Sequence, residues 1–176
     1  YITDEVYKAV RDCASVPLQD AMDLAYLTGQ RPGDMLDMTE RHIVNGALEV
    51  KQHKTKTRRR IRVEGELAEL IKRIKARKEG YKIWSANLTV NTRGMRLSRT
   101  KMRTDFVEAR KAAAEKNPKL REAILSFWFY DLRAKAADDV SDMHGDQAAS
   151  NLLGHGSVAI TQRHYLRKGK IVSPTK

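Results

Sequence analysis

Two stretches of this chain are dense in side chains that hold phosphate. Residues 51–62 carry seven basic side chains (Lys51, Lys54, Lys56, Arg58, Arg59, Arg60 and Arg62) and no acid. Residues 90–121 carry ten Lys or Arg, among them Arg93, Arg96, Arg99, Lys101 and Arg103, against three acids. Such clusters displace the counterions condensed on a polyanion, which drives binding to a duplex. Any one of these side chains taken alone reads more readily as an ordinary solvated charge. The bias extends to the whole chain, where 34 Lys and Arg against 22 Asp and Glu leave a net charge of +12 over 176 residues. That charge favours a nucleic acid or an anionic membrane as partner. Neither cluster adjoins the exposed apolar face that an interfacial helix needs. The strongest apolar run, AILSFWF at 123–129, is seven residues long, against the ~20 that span a bilayer. Double-stranded DNA is therefore the expected partner, with no membrane.

Other chemistries find little support. Cys13 is the only cysteine, which excludes an intrachain disulfide and a cysteine-based zinc site and fits a reducing compartment. His42, His53, His144, His155 and His164 show no metal-ligand spacing, and no phosphate-binding glycine loop is present. No metal and no cofactor are expected, and nucleotide hydrolysis is not indicated.

Three local strings carry more information: TGQRPGDML at 28–36, YDLRAKAADD at 130–139 and LLGHGSVAITQRHYLR at 152–167. In this order, with a lysine-bearing hairpin between the first two, they resemble the catalytic domain of the tyrosine recombinases, the phage-integrase family. The resemblance spans about residues 20–167. It implies the catalytic core of a DNA breaking-rejoining enzyme, acting in site-specific recombination through a 3′-phosphotyrosyl intermediate. Position by position it makes Arg31 and Arg133 the paired arginines, Asp34 their supporting acid and Lys54 the hairpin lysine. His155 becomes the histidine after LLG, and Tyr165 the nucleophile. Tyr130 falls where the family usually has histidine. The family also implies a homotetramer on DNA, a C-terminal segment exchanged between protomers, accessory DNA-bending proteins and a bacterial host cytoplasm. The chain begins at Tyr1, and upstream DNA-binding domains are expected beyond this 1–176 catalytic unit.

The chemistry is consistent with those assignments. Attack on a phosphodiester builds charge on two non-bridging oxygens, which forked guanidiniums stabilise without a metal. A tyrosine oxygen is a better reversible leaving group than a serine oxygen, so bond energy is kept in the covalent link. A lysine on a mobile turn can protonate the departing deoxyribose oxygen. The residues also admit plainer roles. Arg31 can cap helix carbonyls, Arg133 can pair with Asp138, and Tyr165 can be a half-buried core residue. Lys56 shares the turn with Lys54. With Tyr130 a poor base, His155 or His164 takes that part. Ten positions separate His155 from Tyr165, one more than the family spacing, which a bulged turn before the last helix would absorb. Two further readings stay open, a type IB topoisomerase and a non-catalytic DNA-binding regulator on the same scaffold.

The elements that position these groups belong to an α+β protein, mainly α-helical with a small antiparallel β-sheet. Helical periodicity is expected at 4–14, from Pro17 to Gly29, from Gly65, and over 98–116 with Ser98 as cap. Further helices are expected at 130–143, 146–153 and 158–167, and a short turn over DMLDM after Gly33. Leu18, Ala21, Met22, Leu24, Ala25 and Leu27 cover most of the second helix, which places it deep in the core. Ile43-Val44, a turn at Asn45-Gly46, and Leu48 and Val50 alternating with charges predict a hairpin. Ile61 and Val63 predict a third strand, with KQHKTKTRRR as the second turn.

Overall fold

The computed structural model describes residues 1–169 and 172–175. Thr3 opens α1 (Asp4–Asp12) by accepting from the Val6 N–H, and the helix buries Val6 and Val10. α2 (Val16–Thr28) has Pro17 in its first turn and buries Leu18, Ala21, Met22, Leu24 and Ala25 almost completely. It is the central element, touching α1 and the four later helices α3 (Pro32–Leu36), α4 (Gly65–Lys78), α5 (Arg99–Lys116) and α7 (Asp131–His144). Gly29 ends α2 at φ +63, and a Cβ there would lie 3.1 Å from the side chains of Leu152 and Leu153. Glycine therefore serves both the left-handed turn and the close approach of α8 (Asp146–Leu153).

Where a turn was expected after Gly33, Pro32 starts the short helix α3, because its fixed φ suits a first helical position. The sheet has the order β1-β2-β3 and is antiparallel throughout, with β1 (Ile43–Val44), β2 (Ala47–Lys51) and β3 (Arg58–Arg62). Asn45 and Gly46 both take positive φ, as a tight two-residue hairpin requires. The second turn is shorter than expected. Arg58, Arg59 and Arg60 belong to β3, where Arg60 faces Glu49 and Arg58 faces Lys51, while Val63 falls just past the strand. α5 is capped by Ser98 as expected, and α6 (Arg121–Ser126) forms from part of the apolar run at 123–129.

α9 (Val158–His164) is shorter than the 158–167 expected, and Tyr165 caps it. Thr161 O accepts from both Tyr165 N at 2.9 Å and Leu166 N at 3.2 Å, which widens the last turn. The last turn of this helix is thus irregular. Among the described residues no helix is long and apolar enough to cross a membrane. No group of three His, Cys, Asp or Glu among them could hold a metal ion.

Candidate active site

Arg133 stands in the first turn of α7 and is 1% exposed. It does not pair with Asp138. Its Nη1 donates to Gly29 O at 2.6 Å, and its Nη2 donates to Leu153 O at 2.8 Å and to His155 Nε2 at 3.1 Å. One guanidinium therefore joins the ends of α2 and α8, the cap role that Arg31 offered from sequence. Its Nε remains without a partner. Burial lowers the Arg133 pKa.

A guanidinium can only donate, so His155 Nε2 must accept and its proton must sit on Nδ1. That proton reaches Thr161 Oγ1 at 2.8 Å, and Thr161 is fully buried. Burial and the charges of Arg133 and Arg31 bring the His155 pKa down to about 4, with smaller contributions from His164 and Arg59. We expect NMR to find His155 as the neutral Nδ1–H tautomer at neutral pH, titrating near 4. An ordinary midpoint near 6.5, or a proton on Nε2, would show the geometry to be wrong. The unfolded chain takes up this proton at the ordinary value and the folded chain only near 4. Stability is therefore lost as pH falls through that window.

Arg31 follows the end of α2, and its Nη1 is buried without a hydrogen bond. Asp34 Oδ2, equally unpartnered, lies 3.9 Å away, too far to satisfy it. Asp34 Oδ1 instead accepts from the His53 N–H at 2.8 Å and holds the hairpin turn against α3. Arg31, Lys54, Thr55, Tyr130, His155, His164 and Tyr165 line one cleft of about 660 Å³. A larger cavity of about 730 Å³ lies on another face of the hairpin and is lined by Lys51, Lys56, Arg58, Arg59 and Arg60. Of the two lysines on the turn, Lys54 faces the cleft.

Tyr165 is half-buried. Its ring packs on the small cluster of Ala137, Ala149 and Leu153, so the core role is partly real. Its hydroxyl lies 3.1 Å from that of Tyr130, its ring centroid 4.8 Å from His155, and Arg133 Cζ 5.2 Å from the ring. Burial pushes the Tyr165 phenol up, but the hydrogen bond to Tyr130 and the charges of Arg133 and Arg31 outweigh it. The phenol is held below the ordinary tyrosine value. Tyr130 moves the other way, raised by burial and by its hydrogen bond to Tyr165. Either hydroxyl can donate in this pair, and the neighbouring guanidiniums make Tyr165 the one easier to ionise.

The chain after Tyr165 is tied back to α7. Asp138 accepts from Arg167 N at 2.9 Å and Lys168 N at 3.1 Å, Arg167 Nη1 meets Asp131 at 2.7 Å, and Lys168 Nζ meets Asp142 at 2.5 Å. Lys170, Ile171 and Lys176 of the tail expected to exchange between protomers lie outside the described residues.

The basic candidates are on the surface, Arg59 partly so, and three have acidic partners: Arg60 with Glu49 at 3.5 Å, Lys101 with Asp105 at 2.6 Å, and Arg96 with Asp37. Three residues of the site escaped sequence reading. Gln30 adjoins Arg31, Gln52 continues the inward alternation of Leu48 and Val50, and Thr161 stands one helical turn before Tyr165. Those spacings were the available signals.

Residues 3–170 match the phage integrase family. The chain belongs to that family. Integrases of Escherichia phage lambda and Enterobacteria phage 434 are each 30% identical to it, covering 95% of this chain and 47% of the relative. The chain thus spans about half the length of the curated relatives it matches. Among solved structures, a lambda integrase dimer bound to a COC′ core site superposes with a TM-score of 0.81 at 26% identity, covering 99% of this chain and 51% of that one. The lambda integrase catalytic core gives 0.73 at 29%, covering 88% and 90%. XerA recombinase gives 0.73 at 19% identity, covering 96% and 59%, and supports the fold alone. The α+β architecture expected from sequence is that of the integrase catalytic core.

Proposed function

We propose that this phage integrase family member is the catalytic domain of a tyrosine site-specific recombinase, cutting and rejoining double-stranded DNA through a phosphotyrosyl link at Tyr165. The observation that carries the reading is the meeting of Tyr165 with Arg31, His155 and Lys54 around one basic cleft, with Arg133 buried against His155 and the Tyr165 ring. The unsatisfied Arg31 Nη1 and Arg133 Nε are donors that an incoming phosphate would satisfy. Tyr165 attacks phosphorus while Tyr130 donates to its oxygen. His155 takes the phenol proton on Nε2, giving up its bond from Arg133, which turns to the phosphate; the phosphate also offsets the arginine charges that, after burial, hold the His155 pKa down. Lys54 protonates the departing 5′ oxygen. Asp34 keeps the hairpin and Arg31 in register.

Lambda integrase has been solved as a tetramer bound to a Holliday junction. By analogy this chain acts as a homotetramer on DNA, with accessory DNA-bending proteins, in phage integration or excision in the bacterial cytoplasm. The decisive experiment uses a nicked suicide substrate and mass spectrometry of the DNA-linked peptide. A link at Tyr165 supports the reading, and binding without any link overturns it.

The two basic clusters form the proposed DNA surface, and they set a salt dependence. With about six phosphates engaged, affinity should fall roughly 10³-fold between 50 and 200 mM salt. Replacing Arg58 and Arg59 together by alanine should reduce the slope by about 2. A flat salt response in a binding titration would remove these clusters from the interface.

A further inference from the structure

Gln52 is fully buried beneath the hairpin turn and has no acid-base chemistry of its own. Its Nε2 donates to Gln30 Oε1 at 2.7 Å and to Leu153 O at 2.8 Å, and its Oε1 accepts from Thr55 Oγ1 at 2.8 Å. Its backbone closes the turn, with Gln52 N donating to Thr57 O and Lys56 N donating to Gln52 O, both at 2.9 Å. Lys54, by contrast, is exposed, so the backbone beneath it decides where it can reach.

The partners of Gln52 all lead to the site. Gln30 precedes Arg31 and donates to Thr28 O at 2.9 Å and Leu152 O at 3.0 Å. Leu153 O stands two residues before His155 and also accepts from Arg133. Gly154 takes φ +73, and a Cβ there would lie 2.8 Å from Gln52 Nε2, so the amide fills the space beside the turn to His155. A buried side chain with both donors committed fixes direction as well as distance.

We infer that Gln52 is a positioning residue for Lys54, holding the hairpin turn in register with Arg31, Arg133 and His155 so that the lysine reaches the departing oxygen. The inference rests on the recombinase reading above. In the step concerned, the Tyr165 oxygen bonds to phosphorus and the bond from phosphorus to the 5′ oxygen breaks. The phenol proton goes to His155, and the 5′ oxygen takes a proton from Lys54. Displacing a catalytic group by about 1 Å can cost on the order of 10²-fold in rate.

The test compares two suicide substrates, one ordinary and one with sulfur in place of the bridging 5′ oxygen. A thiol ionises near ~8.5, so a departing thiolate needs far less protonation than an alkoxide. Lys54→Ala should cleave the oxygen substrate about 10²-fold more slowly than the wild type, yet cleave the sulfur substrate nearly as fast. Gln52→Met should show the same pattern, with a loss of roughly 10- to 100-fold on oxygen and recovery on sulfur. Thr55→Val, which cuts the same tether from the exposed side, should give about a 10-fold version and serves if Gln52→Met does not fold. Equal losses on both substrates, or no loss, in the Gln52 and Thr55 variants would overturn the inference. Absence of sulfur rescue in Lys54→Ala would overturn it too, by removing the lysine as acid. Wild-type protein that links to neither substrate would instead sink the recombinase reading itself.

Discussion

Arg133→Ala is expected to lose both stability and strand cleavage, and the two losses have separate causes. The side chain is buried, and its Nη groups satisfy Gly29 O and Leu153 O. Truncation leaves Gly29 O without its donor, at about 1–3 kcal/mol, and empties a buried volume, while Leu153 O keeps its bond from Gln52; no longer burying a charge offsets part of the cost. A net cost of roughly 2–4 kcal/mol should lower Tm by about 4–16 °C in a domain of this size. Loss of a donor to the transition-state phosphate should cost about 10²–10³ in cleavage rate. Arg133→Lys keeps the charge but cannot span two carbonyls and an imidazole, so it should recover little of either loss. Thermal melting and single-turnover cleavage measure the two effects. An alanine variant that melts like the wild type would contradict the described geometry, and one that cleaves normally would remove Arg133 from the chemistry.

Tyr165→Phe should abolish the covalent adduct while leaving the fold intact. The hydroxyl bonds to an exposed partner 3.1 Å away, so removing it should cost no more than about 1 kcal/mol. Tyr130→Phe should behave differently. The adduct still forms at Tyr165, about 10-fold more slowly near neutral pH, because the phenol has lost the donor that favours its ionised form. The sign follows from the pair. Tyr165 lies below the ordinary value partly through Tyr130, so removing Tyr130 raises it, and the rising limb of the pH–rate profile moves to higher pH. In Tyr165→Phe, Tyr130 should move back down, having lost a contact that raises it. Suicide-substrate cleavage and ultraviolet titration of the phenols read both effects. Adduct formation in Tyr165→Phe would place the nucleophile elsewhere.

Much of the fold was legible because its signals are local. Ser98 caps α5, Gly29 ends α2, and Asn45-Gly46 makes the first hairpin turn where sequence placed it. Arg58 and Arg59 looked like part of the loop because adjacent charges mask alternation, which showed only from Arg60 onward. Pairing with β2 makes them a strand, where Arg60 finds Glu49. The candidate side chains were legible as motifs, but what holds them was not. Arg133 reaches a carbonyl 104 positions away, and Gln52 one 101 positions away. No window of sequence contains such a pair. Thr161 gave only its helical spacing to Tyr165, since the imidazole it orients belongs to the preceding loop.

Asp131, Asp138 and Asp142 give the segment leaving Tyr165 three moorings on the helix that also bears Arg133. A tug on that segment would therefore reach the proposed nucleophile and its proposed phosphate-holding partner through a single beam. An assembly on DNA that drew the segment toward a neighbouring subunit would arm or disarm both groups together, as one cooperative decision.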